Sequence, residues 1–231
     1  SDDIADPELV SRLYGAISND SALIGGGCYT TYFSNDGEDV GIQRLGPSSK
    51  QQFQKIKNDS KLLFTVPCTI FRKSDAIKVG GYRLDILPND AGIRYEDFSE
   101  DLDLWCRMSD LGENGRYFLT LPISLLHYRK PINSLSTKNI KLMQLKMRWI
   151  KDCLQRRRIG LSERTLKQFI DSRSLLERFT DWRSDNAAFF FRKAGFSFAR
   201  RNYLTLLCFV LLAGLMSPKL IRQKIMMQKI I

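Results

Sequence analysis

The chain has 231 residues, enough for one large domain or for a domain with an appendage. Apolar residues make up 43% and charged residues 26%, a balance that excludes wholesale disorder and fibrous repeats. Thirty-six Lys+Arg against 25 Asp+Glu leave a net charge of +11, and five scattered cysteines accompany a single histidine, His127; with no CxxC pair, this argues against a zinc site or a disulfide scaffold and for reduced thiols in a cytoplasmic setting.

In chain order, residues 7–18 have helical apolar spacing at Leu9, Val10, Leu13 and Ile17, with Asp6 as the expected N-cap and Pro7 at the first helical position. Residues 22–33 predict a strand broken by Gly25–Gly27, where a bend or a close backbone approach is expected. A second strand is expected over 38–45, a short helix over 48–57 and a strand-turn-strand over 62–72 with Pro67 at the break. Residues 74–78 give one or two helical turns stopped by Gly80–Gly81, and 82–98 read as a long loop. Residues 99–111 predict a helix capped by Ser99, with Leu102, Trp105, Cys106, Met108 and Leu111 on one face. An apolar strand interrupted at Pro122 is expected over 116–126.

The character changes after Thr137. Residues 1–137 hold 15 Lys+Arg and 19 Asp+Glu, a net of −4; residues 138–231 hold 21 and 6, a net of +15. The expected organisation is an α/β region over 1–137 and a basic all-α region over 138–231. The second region opens with an amphipathic helix over 138–157, striped by Ile140, Met143, Met147, Ile150 and Leu154 and ended by Gly160. A helix from Ser162 to about Phe179 and another over roughly 185–200 are expected to follow. Tyr203–Met216 is almost wholly apolar between basic and aromatic flanks. It is short for a membrane span, and suits either an interfacial helix on an anionic leaflet or a helix packed against protein.

Chemistry concentrates in one place. Glu96, Asp97, Glu100, Asp101 and Asp103 put five acids within eight residues, next to a long loop and at the mouth of a helix. Carboxylates are favoured there by the free N–H groups and the helix dipole, so the cluster reads equally as helix-start chemistry or as a site.

Four segments, in order, resemble the later part of a family 2 glycosyltransferase with the GT-A fold. They are Ser1-Asp2-Asp3-Ile4-Ala5-Asp6-Pro7, similar to D-x-D-D-x-x-x-P; Phe71-Arg72-Lys73 with Val79-Gly80-Gly81-Tyr82; Glu100-Asp101-Leu102-Asp103-Leu104-Trp105-Cys106-Arg107, similar to E-D-x-D-L-W-x-R; and His127-Tyr128-Arg129 followed by Ser134-Leu135-Ser136. The likeness covers residues 1 to about 136. It implies a truncated GT-A-like mixed sheet with flanking helices, followed by an all-α C-terminal extension, and inverting transfer of a sugar from a nucleotide-sugar donor to a hydroxyl of a saccharide or lipid-linked acceptor. Such an activity belongs to envelope polysaccharide or glycolipid synthesis, at the inner face of the membrane.

By the resemblance, Asp101 takes the general-base position and Glu100 tunes it. Asp2 matches the second Asp of the metal-binding D-x-D, Asp3 follows it, and a divalent cation (Mg²⁺ or Mn²⁺) held there neutralises the leaving diphosphate. His127 is a further candidate for metal or diphosphate, or a structural histidine; Arg129 reads as a phosphate partner or as one half of an ion pair. Gly80, Gly81 and Trp105 fall on the substrate-binding side, although Trp105 is on its helical spacing a core residue. Two departures stand out. The first Asp of D-x-D and the preceding nucleotide-binding units, about 90 residues in the family, would lie before Ser1, and the position two residues after Arg129 where relatives often carry a His is Pro131. The competing reading is a non-catalytic basic module for membrane or nucleic acid; no zinc-finger, helix-turn-helix or RNA-binding motif favours nucleic acid.

Overall fold

In a computed structural model of the full chain, the described residues are 3–33, 37, 39–63, 68–83, 99–129 and 139–222. Residues 1–131 with 146–168 form one compact unit, and residues 132–145 with 169–231 form a second.

The first unit is built on a mixed five-stranded sheet. Strand β1 (Ile4–Ala5) pairs antiparallel with β5 (Tyr117–Arg129), β5 runs parallel to β2 (Leu23–Phe33), and β2 pairs antiparallel with both β3 (Asp39–Gln43) and β4 (Ile70–Phe71). Strand β2 is therefore the central strand, and it is buried almost throughout. That burial accounts for its near-continuous apolar and glycine run, since a strand covered on both faces has no reason to alternate.

The three glycines do not break β2. Its ladder to β5 continues through Gly25, Gly26 and Gly27 opposite Phe118, Leu119 and Thr120. What they provide is closeness: a Cβ on Gly26 would lie on the Leu119 carbonyl oxygen, and one on Gly25 on the Phe118 ring. Pro122 does not end β5 either. The β2–β5 register slips between Cys28 and Tyr29, whose partners are Leu121 and Ser124. The proline is thus accommodated in a bulge, where a missing N–H costs no ladder bond.

Helix α1 (Leu9–Asn19) starts two residues later than its sequence suggests. The Asp6 carboxylate accepts the Glu8 N–H at 2.8 Å and its carbonyl accepts the Leu9 N–H at 3.0 Å. This local turn over Pro7 delays the helix. Helix α2 (Lys50–Asn58) is capped by the Ser49 hydroxyl, and α3 (Lys73–Lys78) is followed by Gly80 and Gly81. Of the strand-turn-strand expected over 62–72, β4 is the one strand among the described residues; Leu62 and Leu63 are not in a strand, and residues 64–67, Pro67 included, lie outside the described residues. The loop expected over 82–98 lies outside them from residue 84 onward. Helix α4 (Glu100–Met108) tightens into a 3₁₀ segment (Ser109–Asn114) closed by Gly115 at φ 74°.

Aromatic packing holds these layers. Trp105 meets Phe71 with centroids 5.0 Å apart and Phe118 at 5.9 Å, and Phe118 stacks on Phe53 at 6.3 Å. Arg72, at the start of α3, donates to the carbonyls of Ile17, Asp20 and Leu23. It thereby satisfies the C-terminal end of α1, whose last carbonyls have no partners within the helix. The Cys28 and Cys68 sulfurs lie 3.1 Å apart as free thiols.

Helix α5 (Ile140–Arg158) spans the length its stripe suggests. From Lys146 onward it belongs to the first unit, where Trp149, Ile150, Cys153 and Leu154 are buried. The change in charge near residue 138 and the division in packing therefore fall at different places. Helix α6 (Leu166–Asp171) ends early, because Ser174 and Glu177 form a reciprocal capping box that starts a new helix. The two helices expected near 162–179 and 185–200 are therefore present with their break moved to 172–174, as the short α6 and the 25-residue α7 (Leu175–Ala199). The second unit pairs α7 with α8 (Tyr203–Met216): Phe190 stacks on Phe209 with centroids 6.2 Å apart, and Arg183 donates to the Leu215 carbonyl at 3.3 Å. Among the described residues no helix is long and apolar enough to cross a membrane.

Candidate functional site

Helix α4 carries two carboxylates of opposite fate. Asp101 is exposed at the first turn, and its Oδ1 accepts the Leu102 N–H at 2.6 Å. Asp103, two residues on, is 1% exposed and paired with Arg107 one turn later at 2.8 Å. Helical spacing alone produces this split, since positions i and i+2 point about 200° apart while i and i+4 share a face.

Ser99 does not cap the helix. It sits in the left-handed region at φ 60° and its hydroxyl makes no cap bond. The Asp101 carboxylate instead accepts one N–H of the first turn, that of Leu102, where the helix dipole favours negative charge.

Arg107 is the positioning residue of the site. Its Nη1 donates to the Val79 carbonyl at 2.5 Å and its Nη2 to the Gly81 carbonyl at 2.7 Å, while Nε is held by Asp103. The planar fork fixes the turn that contains Gly80 (φ 87°) and Gly81 (φ 62°) against the base of α4. Both φ values fall where residues with a Cβ are strained. The turn presents Tyr82 beside the acidic pair: burial, then the negative charges of Asp101 and Glu100, push its phenol above the ordinary value of 10.

The support extends outward through charge. Arg83 lies 3.3 Å from Asp103 and 2.5 Å from Glu163. Glu163 also meets Arg157 at 2.5 Å; Arg157 and Arg158 share Asp110 at 2.8 and 3.0 Å, and Arg158 also donates to Ser109 and to the Lys57 carbonyl. Burial raises the Glu163 carboxyl, but hydrogen bonds and charge from Arg83 and Arg157 outweigh it and leave the group below its usual value. Arg83, Asp103, Arg107 and Glu163 are thus the residues that sequence reasoning missed as positioning groups. The Asp103–Arg107 spacing was the available sign; the carbonyls Arg107 seeks and the role of Glu163, 80 residues from Arg83, had none.

A second group of candidates lies at the β1–β5 edge. Ile4 is opposite His127, and the Asp3 carboxylate accepts the Arg129 backbone N–H at 3.1 Å. His127 is exposed. The Arg129 guanidinium lies over the Phe33 ring, 5.1 Å from its centroid, so a cation–π contact holds it. Asp2 lies outside the described residues. Among the described residues no three His, Cys, Asp or Glu side chains gather as a metal site.

The structure therefore brings Glu100, Asp101, Tyr82 and the Gly80–Gly81 turn together, and brings Asp3, His127 and Arg129 together. Trp105 belongs to neither group. It is 5% exposed and sealed between Phe71 and Phe118, so its placement on the substrate-binding side is corrected to a core role: a fully enclosed indole has no face left for a ligand. Comparison with known protein families and with curated proteins gives no match.

Proposed function

We propose that the chain carries the acceptor side of an inverting glycosyltransferase, with Asp101 as general base. The observation that supports this most is the exposed Asp101 carboxylate at the start of α4, beside Glu100 and Tyr82, on a helix anchored by the buried Asp103–Arg107 pair. An acceptor hydroxyl is a poor nucleophile until a positioned base takes its proton. In this reading Asp101 accepts that proton as the hydroxyl oxygen bonds to the anomeric carbon and the bond to the diphosphate oxygen breaks from the opposite face. Glu100 keeps the local field negative and Tyr82 orients the acceptor. The fixed turn at Gly80–Gly81 lets backbone approach the sugar closely.

The donor set at the β1–β5 edge suits a hard cation that takes one or two carboxylates and completes its shell with phosphate oxygens and water. Asp3 and His127 are the described residues of that edge that would hold Mg²⁺ or Mn²⁺, and Asp2 is the further ligand that the resemblance implies. When bound, the cation neutralises charge on the departing nucleoside diphosphate. Arg129 stands at the same edge for the phosphates. The acceptor in this reading is a saccharide or a lipid-linked saccharide at the cytoplasmic face of a membrane.

The test is Asp101→Asn in the full-length protein, assayed for sugar transfer from a panel of nucleotide sugars, with donor binding followed by calorimetry and folding by circular dichroism. Loss of a general base lowers turnover roughly 10²–10⁴-fold, with folding and donor binding unchanged. Turnover within a few-fold of the parent would remove Asp101 as the base. Absence of sugar transfer by the full-length parent across the whole donor panel would instead favour the non-catalytic basic module.

A further inference from the structure

Helix α8 is apolar along its whole length, yet much of it faces outward. Leu204 is 77% exposed and Leu215 75%, with Leu207 and Leu211 exposed between them. Steps of three and four place these leucines on one face of the helix. Exposing such a stripe to water is unfavourable by roughly 25 cal/mol per Å² of apolar surface, so an unpartnered face of this size calls for a partner.

The charge around the stripe identifies that partner. The α7–α8 turn is tight: the N–H groups of Arg200, Arg201 and Asn202 bond to the carbonyls of Phe196, Phe198 and Ser197, and Arg201 takes a left-handed φ of 55°. This turn sets two adjacent exposed arginines at the N-terminal end of α8, and Lys219 is exposed just beyond its C-terminal end. From Asn186 to Arg222 the sequence has six Lys/Arg (Arg192, Lys193, Arg200, Arg201, Lys219 and Arg222) and no Asp or Glu. Phe198 and Tyr203, both more than half exposed, flank the arginines.

We propose that α8 is an interfacial helix that lies flat on an anionic bilayer, its leucine stripe in the acyl boundary and its terminal cations on lipid phosphates. At 14 residues it is about 21 Å long, too short to cross a hydrocarbon core of about 30 Å but suited to lying in the headgroup plane. Tyr203 takes the amphipathic position that aromatic residues favour at that depth. A nucleic acid would answer the arginines and leave the leucines without a seat. A two-fold pairing of two tips would crowd four arginines with no carboxylate from this segment to offset them. The first turns of α7 expose Leu175 and Leu176 as well, but Glu177, Asp181 and Asp185 offset Arg173, Arg178 and Arg183 in that stretch and leave it no net positive charge for an anionic surface. This inference is independent of the catalytic reading, because vesicle binding reads no sugar transfer.

The experiment uses the full chain and two vesicle preparations: pure phosphatidylcholine, and phosphatidylcholine with about one third phosphatidylglycerol. A fluorophore on Cys208, an exposed cysteine of α8, reports insertion in a Cys68→Ser background. Binding to the anionic vesicles alone, weakening with salt and accompanied by a blue shift at Cys208, is the expected result. Arg200→Gln with Arg201→Gln weakens partitioning roughly 30-fold, and Leu204→Ser with Leu211→Ser abolishes the blue shift; both pairs are on the surface, and unchanged helicity verifies the fold. Equal binding to neutral vesicles, or binding without a shift at Cys208, overturns the proposal. A salt-resistant dimer in size-exclusion chromatography that buries Cys208 without lipid also overturns it and assigns the face to a second copy.

Discussion

Arg107 concentrates more structural consequence than any carboxylate near it. One guanidinium holds Asp103, the Val79 carbonyl and the Gly81 carbonyl, and it is almost fully buried. Lysine keeps the charge but offers one point where arginine offers a fork. Arg107→Lys therefore releases the Gly80–Gly81 turn and leaves buried carbonyls short of donors, at a cost of about 2–4 kcal/mol in urea unfolding. If Tyr82 orients the acceptor, the same substitution also raises the acceptor KM more than it lowers kcat. A stability change under about 1 kcal/mol would show that the turn holds itself. The pairing of Asp103 with Arg107 was legible, because i and i+4 on a helix must meet. The outward turn of Asp101 followed from the same periodicity. The failure of Ser99 as a cap was not legible: serine is a sound choice at that position, and nothing in its identity announces the left-handed backbone, φ 60°, that disables it.

At the scale of elements, the central pairing of β2 with β5 depends on what its glycines omit. Gly26→Ala places a methyl group on the Leu119 carbonyl. Two parallel strands cannot separate locally without losing ladder bonds on both sides, so the expected cost is about 3 kcal/mol or more. Gly15→Ala on α1 is the control, since nothing lies within 4 Å of its added Cβ and helix propensity favours alanine by up to about 1 kcal/mol. Paired thermal melts measure both; a Gly26→Ala protein as stable as the parent would mean the strands can part freely. The sequence allowed this close approach as one of two readings and leaned on broken continuity for the strand itself. Glycine is poor at building a strand, but neighbours on both sides supplied what its propensity lacked. The start of α2 was read to within two residues, at 48 against Lys50, but the start of α7 was not. There, Ser174 and Glu177 spell a capping box three residues apart, and the apolar run leading up to Phe179 masked it.

The first unit as a whole is stapled by charge as well as by its aromatic core. Asp103, Arg83, Glu163, Arg157, Asp110 and Arg158 link the Gly80–Gly81 turn, α4, the 3₁₀ segment and α5. That linkage makes the unit discontinuous in sequence, with 146–168 joining 1–131, and no pattern in composition announces it: the basic residues that mark a new region by charge are the ones that bind the old region's acids. The network has a pH signature. The Glu163 carboxyl is held below its ordinary value of 4.5 by Arg83 and Arg157, despite burial that pushes it up. A carboxyl whose folded value is depressed stabilises the fold fully above the unfolded value and loses that contribution as the pH falls through the folded value. The urea midpoint is therefore expected to stay level from neutral pH to about 5 and to fall below about 4.5. Glu163→Gln removes the charge that Arg83 and Arg157 share, so it lowers stability at pH 7 by about 2–4 kcal/mol and flattens the acid slope. If the slope is unchanged in that variant, other carboxylates carry the acid sensitivity and the staple is structural packing around arginine stems.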